Sequence, residues 1–221
     1  MIKNFIYFFI PIIINLFSCN DLRESQTFLA LGDSYTIGES VIDSLKWPNI
    51  LIRQLNNNSY FFEEPKIIAK TGWTSDELIT AIDSSNISEK FNYVSLLIGV
   101  NNQYRGRNLD NFEKDLKILV QKSIDFAANN PKNVFTLSIP DWGVMPFAKD
   151  RDQNQIAFEI DQFNNVIERI SNSMDVNFID ITQISRDVKN NPNYIAVDGL
   201  HPSGEMYKLW VNELLSFFLK N

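Results

Sequence analysis

Thr27-Phe28-Leu29-Ala30-Leu31-Gly32-Asp33-Ser34-Tyr35 is the stretch that decides the fold. Its first five residues form an apolar run of strand length, and the run passes directly into small polar turn residues. The same unit returns at Lys66–Ala69, Tyr93–Ile98, Asn133–Ile139 and Val176–Ile179. Between these runs the apolar residues recur every three or four positions. Leu109, Phe112, Leu116, Leu119 and Val120 share one helical face, Ile156, Ile160, Phe163, Ile167 and Ile170 another, and Met206, Leu209, Trp210, Leu214 and Phe217 a third. We read these stripes as core. A further helix is expected from near Ser44, with Pro48 inside its first turns. Strands alternating with helices predict an α/β fold with a five-stranded, doubly wound parallel sheet. A site in such a sheet lies just beyond the carboxyl ends of the strands.

The chain has 221 residues, 44% hydrophobic and 21% charged, which suits one domain with a substantial core. Residues 27–221 are expected to form it. A formal charge of -7 argues against a surface that neutralises phosphates, so nucleic acid is not an expected partner. Cys19 is the only cysteine and His201 the only histidine. The usual four-ligand structural zinc sets cannot be assembled from them, and a Cys–His nucleophile pair is disfavoured because Cys19 sits at the edge of an export segment. Any reaction that needs a neutral side-chain base near pH 7 has His201 as its one histidine.

Residues 1–19 read as a signal peptide: Lys3 near the start, an apolar stretch from Phe5 to Phe17, then small Ser18 before Cys19. Leu16-Phe17-Ser18-Cys19 resembles a bacterial lipobox, in which the cysteine is lipidated and becomes the mature N-terminus. Residues 20–26 read as a polar tether. The alternative is an uncleaved membrane anchor, although the run is shorter than the ~20 residues a spanning helix prefers. Either reading exports the domain, and the expected place is the cell envelope, anchored by lipid at Cys19.

Each strand-length run is followed by residues that can carry chemistry. Gly32-Asp33-Ser34-Tyr35 follows the first, Thr71-Gly72-Trp73-Thr74 the second, Gly99-Val100-Asn101-Asn102 the third and Pro140-Asp141-Trp142-Gly143 the fourth. Asp198-Gly199-Leu200-His201-Pro202 follows the fifth. The fold therefore brings Ser34, Gly72, Asn101 and His201 to one rim. A serine hydroxyl needs a base, and an imidazole with an ordinary pKa of about 6.5 suits that task. Asp198, three residues before His201, can fix its tautomer. Donors for an oxyanion would be the N–H of Ser34, the N–H of Gly72 and the carboxamide of Asn101. Asp33 is read as shaping the nucleophile loop. Trp73, Tyr104, Arg105, Asp141 and Trp142 are candidate substrate contacts. Trp73 and Trp142, with Val144, Met145, Pro146 and Phe147, form either an acyl pocket or a core-facing loop; Tyr104, Arg105 and Arg107 either meet an anionic or sugar leaving group or form a solvated turn; Asp141 either acts at the rim or holds its own loop.

On these residues the chain resembles the SGNH/GDSL hydrolase family, whose four name-giving residues match Ser34, Gly72, Asn101 and His201 in order and context. The resemblance spans roughly Phe28 to Pro202. Tyr35 stands where the family nickname has leucine, and Asn102 replaces an aspartate that follows the oxyanion asparagine; Asp198 and His201 match the last block fully. The resemblance implies a flavodoxin-like three-layer α/β/α fold and hydrolysis of esters through an acyl-enzyme, with no metal and no cofactor. Candidate substrates are acetylated carbohydrates or lipid esters. The chain has no Gly-x-Ser-x-Gly elbow and no second histidine, so the α/β-hydrolase triad is excluded. Three other readings stay open: acyl transfer to an alcohol, a flavin-binding flavodoxin-like protein, and a surface protein that binds without turnover.

Overall fold

Five strands, β1 (Phe28–Gly32), β2 (Lys66–Ala69), β3 (Tyr93–Leu97), β4 (Val134–Leu137) and β5 (Asn177–Ile179), form one all-parallel sheet in the order β2-β1-β3-β4-β5. The computed structural model describes residues 24–219. The signal-peptide reading of 1–19, the lipidation of Cys19 and the first part of the 20–26 tether lie outside the described residues. Gln26, read as the end of that tether, already belongs to the domain. Its N–H donates to the Phe61 carbonyl at 2.7 Å, and its own carbonyl accepts from Glu63 at 2.9 Å.

β1 is fully buried, as its unbroken apolar run requires. The expected fourth strand is cut short at its end. Ile139 has both backbone groups taken by the Asn164 side chain, whose Oδ1 accepts from its N–H at 2.6 Å and whose Nδ2 donates to its carbonyl at 3.0 Å. A side chain has replaced the neighbouring strand there.

The helices are α1 (Ser34–Ile37), α2 (Trp47–Asn57), α3 (Ser75–Ser84), α4 (Val100–Tyr104), α5 (Leu109–Phe126), α6 (Gln153–Ser173), α7 (Thr182–Arg186) and α8 (Gly204–Phe218). They flank the sheet on both sides. α2 and α8 pack together on one face, with Trp47 edge-on to Phe28 and Phe218 against Tyr93 and Phe135. α3, α5 and α6 pack on one another over the other face, where the rings of Phe112 and Phe163 lie 4.8 Å apart.

Two expectations about helices need correcting. The helix expected from Ser44 begins at Trp47, after a separate 3-10 turn at Asp43–Leu45. Pro48 is its second residue, where the missing N–H has no partner to lose, so the proline marks the start of the helix. In α8 the buried face includes Tyr207, Val211 and Phe218, while Leu209 and Phe217 are only half-buried. The Tyr207 hydroxyl donates to the Tyr35 carbonyl at 3.1 Å, which turns that side of α8 toward the nucleophile helix. Among the described residues no helix is long and apolar enough to cross a membrane.

The strand order places β2 on one side of β1 and β3 on the other, so the chain reverses its direction of winding between β1 and β3. That is the crevice where doubly wound sheets hold their ligands. In register, Gly32 lies opposite both Ala69 and Leu97. The carboxyl ends of three strands are therefore level, and the residues just beyond them share one rim.

Candidate active site

The turn into α1 is tight. A Cβ on Gly32 would lie 2.2 Å from Thr36 Oγ1 and 2.4 Å from the Leu97 carbonyl, so only glycine fits the end of β1. Asp33 caps the helix, its Oδ1 accepting the Tyr35 N–H at 3.0 Å. Ser34 is the first helical residue, so its backbone N–H is one of the donors that the helix itself leaves free. Ser34 itself lines the cavity that the other site residues share. Asp33 is buried, and its Oδ2 has no described partner. Desolvation pushes its pKa up to about 7, against the lowering effect of the Tyr35 N–H. Asp33 does not line the cavity, which agrees with a role in shaping the loop.

His201 Nδ1 lies 2.6 Å from Asp198 Oδ2. With that nitrogen carrying a proton toward the carboxylate, the lone pair of the neutral ring is on Nε2. Asp198 Oδ1 accepts the backbone N–H groups of Leu200 and His201, each at 2.9 Å, and its Oδ2 also accepts from Ser40 Oγ at 2.6 Å. Partial burial would raise the Asp198 pKa. The hydrogen bonds from Ser40, His201 and Leu200 outweigh it and hold the carboxyl well below the usual range. Asp198 therefore stands beside His201 Nδ1 as a carboxylate.

Gly72 has φ +87, a left-handed conformation that glycine adopts without strain. Its carbonyl accepts from the Arg105 guanidinium, which also pairs with Glu77. Asn101 Nδ2 donates to the Trp73 carbonyl at 3.0 Å. A carboxamide nitrogen has two hydrogens, so this bond orients the group and leaves one N–H for a ligand. Gly99 opens α4 with φ +129, and a Cβ there would lie 2.8 Å from Phe112 Cζ. Asn102 accepts the Ser75 N–H at 2.9 Å and donates to Ser75 Oγ at 2.7 Å, tying α4 to the start of α3.

Ser34, Gly72, Asn101 and His201 line one cavity of ≈ 180 Å³, together with Tyr35, Thr71, Val100, Tyr104, Trp142, Phe147 and Leu200. The wall is rigid at Trp142, whose Nε1 donates to Gln103 Oε1 at 2.7 Å, and Gln103 Nε2 in turn donates to Glu159 at 2.7 Å. Of the five candidate contacts, Tyr104 and Trp142 line the cavity, and Trp73, Arg105 and Asp141 do not. Trp73 packs half-buried on the core and offers only its carbonyl to Asn101. Arg105 is held against Gly72 and Glu77. Asp141 is buried with Oδ1 on the Gly143 N–H and Oδ2 on Arg186 Nε, both at 2.9 Å, so it holds its own loop. Tyr35 and Val100, which the sequence reading did not place at the site, also line the cavity; their adjacency to Ser34 and Asn101 is the signal that could have found them. Ser40 gives no such signal, since its partner Asp198 is 158 residues away. Among the described residues no three His, Cys, Asp or Glu side chains gather as a metal site.

The fold has solved relatives at low identity. The crystal structure of TesA superposes with TM-score 0.69 at 20% identity, covering 87% of this chain and 97% of that one. A member of the lipolytic protein G-D-S-L family from Veillonella parvula gives 0.67 at 17%, covering 89% and 100%. Axe2, an acetylxylan esterase from Geobacillus stearothermophilus, gives 0.66 at 18%, covering 87% and 93%. No curated protein matches the chain. The model of the GDSL-like lipase/acylhydrolase family matches residues 30–209, a span that begins inside β1, takes in Ser34, Gly72, Asn101, Asp198 and His201, and ends in α8. A match over that length, on a chain whose sheet brings those residues to one cavity, shows that the protein belongs to the GDSL-like lipase/acylhydrolase family.

Proposed function

We propose that the protein hydrolyses esters of short carboxylic acids through an acyl-Ser34 intermediate. The observation that carries this reading is the meeting of Ser34, the Asp198–His201 pair, Gly72 and Asn101 in one cavity. Ser34 Oγ attacks the ester carbonyl while His201 Nε2 takes its proton, and Asp198 steadies the imidazolium that forms. The oxyanion is received by the N–H of Ser34, the N–H of Gly72 and the free N–H of the Asn101 carboxamide, each such donor being worth about 3–4 kcal/mol in the transition state. His201 then returns the proton to the departing alcohol. Water, deprotonated by His201, releases the acid and regenerates Ser34.

The size of the cavity favours a short acyl group. A cavity of ≈ 180 Å³ walled by Tyr104, Trp142 and Phe147 suits an acetyl to butyryl group, with the alcohol, an acetylated sugar among the candidates, left at the open side.

The test is hydrolysis of p-nitrophenyl acetate and butyrate by the purified chain, with Ser34→Ala and His201→Ala alongside. Both variants are expected to lose activity while keeping the wild-type circular dichroism. A phosphonate ester should label Ser34 once per chain, read by mass spectrometry. Turnover of folded Ser34→Ala at the wild-type rate would overturn the mechanism.

The same reading places the enzyme at the cell envelope, lipid-anchored at Cys19. Its support is the layout of residues 1–19. Cys19→Ala should release the protein from membranes, whereas continued tight association would favour an uncleaved anchor.

A further inference from the structure

Gly38 closes α1 in the left-handed conformation at φ +72, and the N–H groups of Gly38 and Glu39 both reach the carbonyl of Ser34, at 3.1 and 3.0 Å. The next residue, Ser40, also has positive φ, +63. A serine there is disfavoured by roughly 1–2 kcal/mol relative to ordinary backbone, and such strain persists only where the surroundings impose it. The side chains of this loop reach parts of the site. Glu39 accepts the Thr71 hydroxyl, one residue before Gly72. Ser40 Oγ donates to Asp198 Oδ2 at 2.6 Å, on the oxygen that faces His201 Nδ1. One three-residue loop thus touches the nucleophile's own carbonyl, the strand end that carries Gly72, and the acid behind the histidine.

We propose that Ser40 is a positioning residue for the reaction: its hydroxyl occupies the last acceptor site of Asp198 and holds Oδ2 at the angle from which it orients His201. The inference rests on the reading of Ser34, His201 and Asp198 as the reacting set. With Ser40 in place, each Asp198 oxygen accepts two donors, Leu200 and His201 N–H on Oδ1 and Ser40 Oγ and His201 Nδ1 on Oδ2. All four lone-pair directions of the carboxylate are then filled, so it has no free direction into which to rotate. Without Ser40 the Oδ2 has one protein donor, and the side chain of Asp198, 29% exposed, is free to turn toward water. The Asp198 charge acts on Tyr35 and Tyr207, as do those of Asp33, Asp141 and Glu39 on one or both of these rings, and none of these groups hydrogen-bonds to Asp198. Ser40 acts on the acid directly.

The decisive variant is Ser40→Gly, because glycine accepts φ +63 without strain and the substitution removes the hydroxyl while leaving the backbone at ease. Relief of that strain offsets part of the hydrogen bond lost to Asp198, so thermal unfolding should still show a cooperatively folded protein. On p-nitrophenyl acetate, kcat is expected to fall about tenfold with KM within twofold. The acid limb of kcat/KM should also move to higher pH, because an Oδ2 that no longer shares its charge with Ser40 favours the imidazolium more strongly. A merely structural serine would leave that limb in place. Wild-type kcat with an unmoved acid limb in folded Ser40→Gly would overturn the proposal, as would a loss carried by KM alone. The underlying reading fails in a different way, through activity in Ser34→Ala, so the two failures are separable.

Discussion

Asn102 grips Ser75 twice, accepting its backbone N–H through Oδ1 at 2.9 Å and donating through Nδ2 to its hydroxyl at 2.7 Å. The Ser75 hydroxyl passes its own proton to Asp115 Oδ2 at 2.7 Å. Asn101 and the loop after Gly72 are held together by this chain, since Asn102 follows the one and Ser75 lies three residues beyond the other. The direction of each proton is fixed, so the amide at 102 and the carboxylate at 115 cannot be changed independently. Asn102→Asp, although it restores the residue of the family's motif, should leave two carboxylates competing for one buried hydroxyl proton. We expect a loss of about 2 kcal/mol, or roughly 5 °C in Tm at pH 8. Asp115→Asn added to it reverses the chain, with the new amide donating to Ser75 and Ser75 donating to the new acid. The double variant should recover most of the loss in thermal unfolding, and an unchanged Tm in Asn102→Asp would show that the chain carries no stability.

Removing the Asn101 carboxamide tests the oxyanion site with little risk to the fold, because the side chain is only partly buried and has one bond to lose, to the Trp73 carbonyl. Asn101→Ala should lower kcat about 10²–10³-fold. KM should stay within a few-fold, since the donor acts on charge that develops in the transition state. A change in KM with kcat intact would place Asn101 in ground-state binding instead.

Asp33 predicts an unusual dependence of stability on pH. Its ordinary value is 3.8 and burial pushes it up to about 7. Between these values the folded protein holds a proton that the unfolded chain has released, so this group makes stability fall as pH rises from about 4 to 7. The full effect is on the order of 4 kcal/mol, from about three pKa units at 1.4 kcal/mol each. Asp33→Asn keeps an acceptor for the Tyr35 N–H and cannot ionise. Its stability relative to wild type should therefore climb from pH 4 to pH 8, measured by urea unfolding at both. A difference that stays constant with pH would show that Asp33 is not buried as a neutral acid.

The central strands were legible because burial on both faces leaves an unbroken apolar run, as in Phe28–Leu31, and Ser34, Gly72 and Asn101 because each lies within three residues of such a run, whereas His201, 22 residues beyond β5, was legible from its Asp198-x-x-His201 spacing. What stayed hidden depended on partners distant in sequence. Asp141 reads the same whether it faces substrate or Arg186, and only the fold puts Arg186 2.9 Å from it. Arg105 looked like a contact for a leaving group, but folding brings Gly72 and Glu77 within its reach. Ser40 carries a left-handed backbone that no neighbouring residue announces. The phase of α8 escaped for a related reason: Tyr207 counts as a polar-tipped residue in the pattern, and its hydroxyl is satisfied by a carbonyl 172 residues away.

The wall of the cavity sets the last expectation. Trp142 is pinned through Gln103 to Glu159, so the far side of the cavity cannot open by a simple rotamer change. Phe147 and Tyr104, each 47% exposed, stand at the mouth, with their rings 6.4 Å apart. An acyl chain longer than the cavity must pass between them or lie on them in water, where each further methylene gains little of the ~0.8 kcal/mol that full burial supplies. Across p-nitrophenyl esters, kcat/KM should be highest from acetyl to butyryl and at least tenfold lower at octanoyl. Phe147→Ala removes one side of the mouth without emptying the core, so the ratio of octanoyl to acetyl rates should rise several-fold while the acetyl rate holds. A rate that climbs with chain length in the wild type would mean that the acyl group lies along the open rim, and that Trp142 and Phe147 face the alcohol.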